Sequence, residues 1–215
     1  MGQKVNPQVL RTGPLYDWTS RWFEKKHYKD VLLEDYKLRK SLMEKLKIAG
    51  VSRIEIDRSI NSIKISAFVS RPGIVIGRAG TGLEDLKKFL VTTMQSFGKM
   101  PKHLPKLDIR VEPIKEPNLD AFLVARNIAD QLAKRLSYKR VMLQAAEKVM
   151  GAGALGVRIV MSGRIAGAEI SRREKTQRGT VPLSTIRARI HFASVPALTK
   201  KGYIGIKVWV NKPEK

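Results

Sequence analysis

From Asp30 to Ala49 the apolar residues Leu38, Leu42, Leu46 and Ala49 recur every three or four positions, and Gly50 follows. That period predicts a helix with the glycine as its stop. The period then falls to two. Ile54 and Ile56 stand between Arg53, Glu55 and Asp57, while Ile63, Ile65, Ala67 and Val69 alternate with Lys64, Ser66 and Phe68. These are two half-buried strands, with Asn61-Ser62 as the turn between them. Leu83, Leu86, Leu90, Met94 and Phe97 restore the helical period, and Leu107, Ile109 and Val111 make a third strand. The connector between the last two, around Gly98, Pro101 and Pro105, is interrupted and long.

Pro113 to Pro117 breaks the pattern and marks a linker. Beyond it, Ala121, Ala125, Ile128 and Leu132 predict a helix over 118–136, and Val141, Ala145 and Val149 a second over 137–150. The rest alternates. Leu155, Val157, Ile159 and Met161 oppose Arg158, Val160 and Ser162. Ile186, Ala188, Ile190 and Phe192 oppose Arg187, Arg189 and His191, and Ile204, Ile206, Val208 and Val210 oppose Lys207 and Trp209. With a shorter candidate at 168–174, these predict four mostly antiparallel strands. Two helices would cover one face of that sheet and leave the other wet and basic. The expected class is α+β. The expected division is an arm over 1–28, a first domain over 29–112, a linker over 113–117 and a second domain over 118–212.

Composition narrows the partner. Of 215 residues 43% are hydrophobic, so real cores can form. Lys plus Arg number 42 against 19 acids, a net charge of +23 spread along both halves. That points to a polyanion, nucleic acid before a membrane surface, which would want one concentrated basic amphipathic helix. Met1 to Pro7 carries no signal-like apolar run, and no stretch approaches the roughly 20 apolar residues of a membrane span. A soluble intracellular protein is expected. There are no cysteines, and His27, His103 and His191 form no ligand pair, so neither metal nor cofactor is expected.

The stretch with chemistry is Gly77-Arg78-Ala79-Gly80, between a short apolar approach and a helix. Glycines let backbone come close to a sugar-phosphate strand, and the next helix aims its first N–H groups there. This is the arrangement of the KH clamp on single-stranded nucleic acid. Gly151 to Gly156 matches a dinucleotide fingerprint, but a helix precedes it and a strand follows, the reverse of what pyrophosphate binding needs. Around the rings Tyr16, Trp18, Trp22, Phe23 and Tyr28 the tryptophans read as packing the arm rather than stacking bases. Bases also gather at Lys134, Arg135, Lys139 and Arg140 where the second domain's helices meet, and at Arg172, Arg173, Lys175 and Arg178, read as a turn. Arg187 and Arg189 are expected on one strand face.

Collinear motifs along nearly the whole chain go further. They include Met1-Gly2-Gln3-Lys4-Val5-Asn6-Pro7, Trp18 with Trp22-Phe23, Val51-Ser52-Arg53-Ile54, Arg71-Pro72-Gly73-Ile74-Val75-Ile76-Gly77 and Ser162-Gly163-Arg164. Gly167-Ala168-Glu169-Ile170, Val181-Pro182-Leu183 and Tyr203 to Trp209 complete the set. The sequence resembles the bacterial-type small-subunit ribosomal protein S-three family. The resemblance implies a type II KH domain with a three-stranded sheet, then a C-terminal α/β sandwich of two helices and four strands. It implies a non-enzymatic, ribosome-bound protein of the small-subunit head, cytoplasmic in a bacterium or organellar by descent, and not a homo-oligomer. Its partners would be ribosomal RNA, messenger RNA at the entry channel and neighbouring head proteins. The clamp residues would be Gly77, Arg78, Ala79 and Gly80, and the messenger-entry residues Lys134, Arg135, Lys139 and Arg140. Leu143, with Gln144 beside it, stands where the family carries a third basic residue. Ribosomal RNA contacts would come from Lys4, Arg11, Arg164, Arg172, Arg173, Lys175, Arg178, Arg187 and Arg189. Two rivals stay open: a free-standing KH regulator of RNA, and an enzyme using the glycine-rich segments for a nucleotide.

Overall fold

A computed structural model describes residues 4–59, 61–95 and 106–213, with the Ala79 side chain left undescribed. Of the long connector predicted over 97–106, residues 97–105, and His103 with them, lie outside those residues, and Lys106 opens the strand that follows. The chain divides into two compact units, Trp18–Lys115 and Met1–Asp17 with Glu116–Lys215.

The first unit runs β1 (Ser20–Arg21), α1 (Tyr28–Lys45), β2 (Val51–Arg58), β3 (Ser62–Val69), α2 (Pro72–Ile76), α3 (Thr81–Gln95) and β4 (Lys106–Pro113). Its sheet has the order β1-β2-β3-β4, with β2 and β3 antiparallel and β4 parallel to β3. Alternation puts Ile54, Ile56, Ile63, Ile65 and Val69 on one face, where they bury against Leu38 and Leu42 of α1 and Leu86 and Leu90 of α3. Each such side chain contributes about 1.5–3 kcal/mol when fully buried. α1 ends through a single 3-10 turn into Gly50, whose φ of 70° takes the chain out. Two elements were not foreseen. The two-residue β1 adds a fourth strand, and the five-residue α2 begins on Pro72, both too short to carry a period.

The second unit packs α4 (Ala121–Ala133) and α5 (Tyr138–Gly151) on one face of a sheet. The strands are β5 (Gly156–Gly163), β6 (Arg172–Gly179), β7 (Arg189–Thr199) and β8 (Gly202–Lys212), in the order β6-β5-β8-β7 and antiparallel throughout. Asp120 sets where α4 starts: its carboxylate accepts from the N–H groups of Phe122 and Leu123. The core joins Val157, Ile159, Met161, Ile206, Val208 and Val210 to Ala125, Ile128, Val141 and Val149. Among the described residues no helix is long and apolar enough to cross a membrane.

Three expectations change here. Residues 168–174 were read as a short strand, but β6 begins at Arg172 and runs to Gly179. Residues 186–188 form a turn, and β7 continues to Thr199. The outer sheet face is not wholly wet, because Val160, Ile190 and Trp209 make a small second core with Val181, Leu183 and Ala188.

The arm read as one element over 1–28 divides at Asp17. Its first part is fixed to the second unit by Arg11, which is 0% exposed. The guanidinium donates to the carbonyls of Pro7, Pro182, Leu183, Thr185 and Ala188. Tyr16 adds a hydroxyl donated to the Ile190 carbonyl at 2.9 Å. The next part joins the first unit, where Trp22 Nε1 donates to Asp35 at 2.8 Å. Trp22 therefore packs, as its sequence setting suggested, while Trp18 is exposed.

Candidate nucleic-acid interface

α2 stops at Gly77, whose φ of 71° and ψ of −176° lie where essentially only glycine goes. A Cβ there would come within 2.9 Å of the Gly82 nitrogen. Gly82 is tighter still: a Cβ on it would stand 2.5 Å from the Val75 carbonyl oxygen. The sequence reading named the loop but missed Gly82, whose role is to let α2 and α3 close on each other. Arg78 to Gly80 form a 3-10 turn, and the Thr81 hydroxyl donates to the Arg78 carbonyl at 3.0 Å. The Arg78 side chain is exposed and unpaired among the described residues. Exposed Ile74 and Ile76 lie beside it. Glu84 follows in the first turn of α3, so the loop offers exposed backbone with one cation and one nearby acid. Gly77→Ala is expected to cost about 1–3 kcal/mol. Gly80→Ala should cost about 1 kcal/mol, because its Cβ would meet open space. Denaturant midpoints of the two variants check this, and equal losses would mean the Gly82 contact gives way freely.

The open face of the first unit's sheet is balanced. Arg21, Arg53 and Arg110 meet Glu55, Asp57 and Asp108 in ion pairs between 2.6 and 3.4 Å. Lys64 lies opposite Asp57 and Asp108. Little field is left there to attract a polyanion.

The junction of α4 and α5 differs. Lys134, Arg135, Lys139 and Arg140 are all exposed, and none has a side-chain partner among the described residues. α4 closes with Leu136 N–H on the Gln131 carbonyl and Arg135 N–H on that of Leu132. Arg135 occupies the left-handed position of that cap, φ 61°, where glycine is usual. The conformation costs about 1–2 kcal/mol for an L residue and turns its side chain out at the junction. α5 then begins at Ser137 without a side-chain cap and without an acid in its first turn. Free N–H groups and the positive helix end disfavour Lys139 and Arg140 unless an anion is near.

A third basic group covers the open face of the second sheet. Cross-strand register places Arg173 with Ser162 and Gly205, Lys175 with Val160 and Lys207, and Arg158 with Trp209. The Arg158 guanidinium lies 5.3 Å from the Trp209 ring centroid. Lys4 completes the group. Its pKa is pushed below the ordinary lysine value by Arg158 first, then by desolvation, then by Arg173, Lys175 and Lys207. Lys4, Arg173 and Lys175 were named from sequence. Arg158 and Lys207 were missed: both sit in the polar slot of their strand's alternation, but only the order β6-β5-β8 gathers them.

The other expected contacts scatter. Arg172 and Arg178 lie on an edge strand rather than in a turn, and the period of two turns them to the face opposite Arg173 and Lys175. Arg178 pairs with Glu147 of α5 at 3.1 Å. Arg164 donates to the Ala168 carbonyl at 3.0 Å. Arg187 stands in the turn before β7 and Arg189 on it, both exposed, so they do not share one strand face. Arg11 is removed from the set of RNA contacts, because its guanidinium is enclosed and fully used by carbonyls. At Gly151 α5 ends and β5 begins five residues later, so those glycines offer no helix start to a dinucleotide. The described residues hold no cluster of His, Cys, Asp and Glu fit for a metal ion.

Comparison with known proteins matches residues 37–119 to the KH domain model and residues 128–210 to the model of the ribosomal protein S3 C-terminal domain. The small ribosomal subunit protein uS3 of Carboxydothermus hydrogenoformans is 47% identical over 215 residues, 100% of this chain and 93% of that protein. The uS3 proteins of Desulfitobacterium hafniense and Finegoldia magna are 45% and 46% identical, across 94% and 84% of their lengths and 100% of this chain.

Proposed function

The chain belongs to the ribosomal protein S3 family, and from that premise we propose that it is a non-enzymatic RNA-binding protein of the small ribosomal subunit, cytoplasmic in a bacterium. It binds ribosomal RNA through lysine and arginine contacts to phosphate, beside other ribosomal proteins, as one copy per particle. At the junction of α4 and α5 it grips messenger RNA entering the subunit.

The observation that carries the messenger role is the uncapped start of α5 ringed by four exposed, unpaired cations. Its strength is reduced at one position. Leu143, 48% exposed, follows Lys139 by one helical turn where a third base would extend the grip. In small subunits reconstituted with Lys139→Gln/Arg140→Gln, sedimentation should show normal incorporation while passage through a messenger hairpin slows. On single-stranded RNA the free double variant should show a log–log salt slope flatter by about 1.4, roughly 0.7 for each lost phosphate contact. Leu143→Lys should steepen it by about 0.7. Slopes unmoved by either change would remove the messenger grip and leave the ribosomal assignment standing.

A further inference from the structure

We propose that the outward face of α1, a seam of Lys29, Leu33, Tyr36 and Lys40, docks one acidic amphipathic helix of another protein. The inference goes beyond the RNA-binding reading and does not rest on it.

α1 and α3 cover the same face of the first sheet, and each turns its other side to solvent. Those outer sides differ. Among the described residues α3 exposes only polar side chains of both signs, with Glu84 and Asp85 beside Lys87 and Lys88. α1 exposes Leu32, Leu33 and Tyr36 in its middle, at 47%, 45% and 62%. A single exposed leucine is ordinary. These side chains instead follow a pattern, because positions 29, 33, 36 and 40 step by four, three and four. That is the spacing at which one helix seats against another. The stripe that faces the core is a different one, formed by Asp35, Leu38 and Leu42. α1 therefore has two seams, and the structure fills one.

Charge selects the occupant of the other. Lys29 and Lys40 close the seam at its two ends, about 16 Å apart along the axis. Both are exposed, and neither has an ion-pair partner among the described residues. The acids near them are engaged elsewhere: Asp30 lies 4.0 Å from His27, while Glu34 and Asp35 hold Arg58. Glu44 is exposed but stands beside the seam, not on it. A helix with apolar side chains at its centre and carboxylates toward both ends satisfies the whole face, and its charges fix the register. A second copy of α1 would set lysine against lysine. An RNA strand would lay phosphates over Leu33 and Tyr36 and strip water from neither side usefully. A lipid surface needs an apolar stripe free to sink in, whereas α1 is bound into the core along its other side. Two helical turns make a small contact, suited to a partner already held nearby in a larger assembly.

The test uses the full chain made in living cells with p-benzoylphenylalanine in place of Leu33. After irradiation the adduct is isolated and the attached peptide is sequenced by mass spectrometry. The expected adduct is one protein segment with a helical apolar period and Asp or Glu flanking it. Lys29→Glu/Lys40→Glu should cut the cross-link yield about tenfold. Lys87→Glu/Lys88→Glu makes the same charge change on α3 and should leave the yield within about twofold. Circular dichroism melting checks each fold, and if the first pair melts early, Lys29→Gln/Lys40→Gln replaces it with an expected loss of about threefold. Oligouridine affinity of that glutamine variant should stay within about twofold of the unaltered chain. The proposal is overturned by an adduct with RNA, lipid, a second copy or a segment without acids, and equally by no adduct. It is also overturned if both charge pairs lose alike, or if oligouridine affinity falls as far as the cross-link.

Discussion

Arg11→Met is expected to destabilise the second unit by about 3–5 kcal/mol, more than any loss from the exposed bases. The guanidinium spreads donors over carbonyls at 2.7 to 3.4 Å, of which those of Pro182, Leu183, Thr185 and Ala188 belong to a segment without a strand partner. That segment covers Val160, Ile190 and Trp209, so freeing it opens a small core as well. Methionine keeps much of the length but offers no donor, leaving the carbonyls unpaired wherever water cannot follow. Arg11→Lys should recover only part, because one ammonium cannot match a planar fork reaching so many acceptors. Trp209 is the one tryptophan in this unit, so its fluorescence during denaturation, with Trp18 and Trp22 replaced by Phe, reads the loss directly. A loss under about 1 kcal/mol would mean that solvent reaches the site and the carbonyls need no arginine.

The second large effect is expected in the first unit. Asp35, 1% exposed on α1, accepts from Trp22 Nε1 at 2.8 Å and from Arg58 Nε at 2.7 Å. Asp35→Ala leaves the Arg58 guanidinium with Glu34 alone and an indole N–H without an acceptor. Removing one partner of a buried ion pair costs about 3–5 kcal/mol. Asp35→Asn keeps an acceptor but not the charge, and should cost roughly half as much. Hydrogen exchange of β1 and the N-terminal half of α1 separates these outcomes from a global loss. Protection retained in β1 after Asp35→Ala would show that Arg39, donating to Ser20 and the Thr19 carbonyl, holds the segment by itself.

Both network centres show where reading the chain stopped. Arg11 looks in sequence like one more base on a basic arm, and Asp35 like an acid on the polar side of a helix. Nothing within a few residues of either says that it is buried. Their partners stand 171 to 177 and 13 to 23 positions away respectively, Pro7 being the exception. The glycine loop was legible because its parts are contiguous, and the reason for Gly82 was not, because it depends on the approach of α2.

The chain alone settled most of its element types and the place of its glycine loop, since hydrophobic period and glycine placement are local properties. A period of two also says which residues share a face, and so it held the charge pattern of β5, β6 and β8 in outline. It could not say which strands lie side by side. Only the tertiary order β6-β5-β8 sums Lys4, Arg158, Arg173, Lys175 and Lys207 into one field. Only the first sheet's own pairing cancels Arg21, Arg53 and Arg110 against acids. Electrostatic energy depends on distance in space, and a net charge of +23 carries no distances.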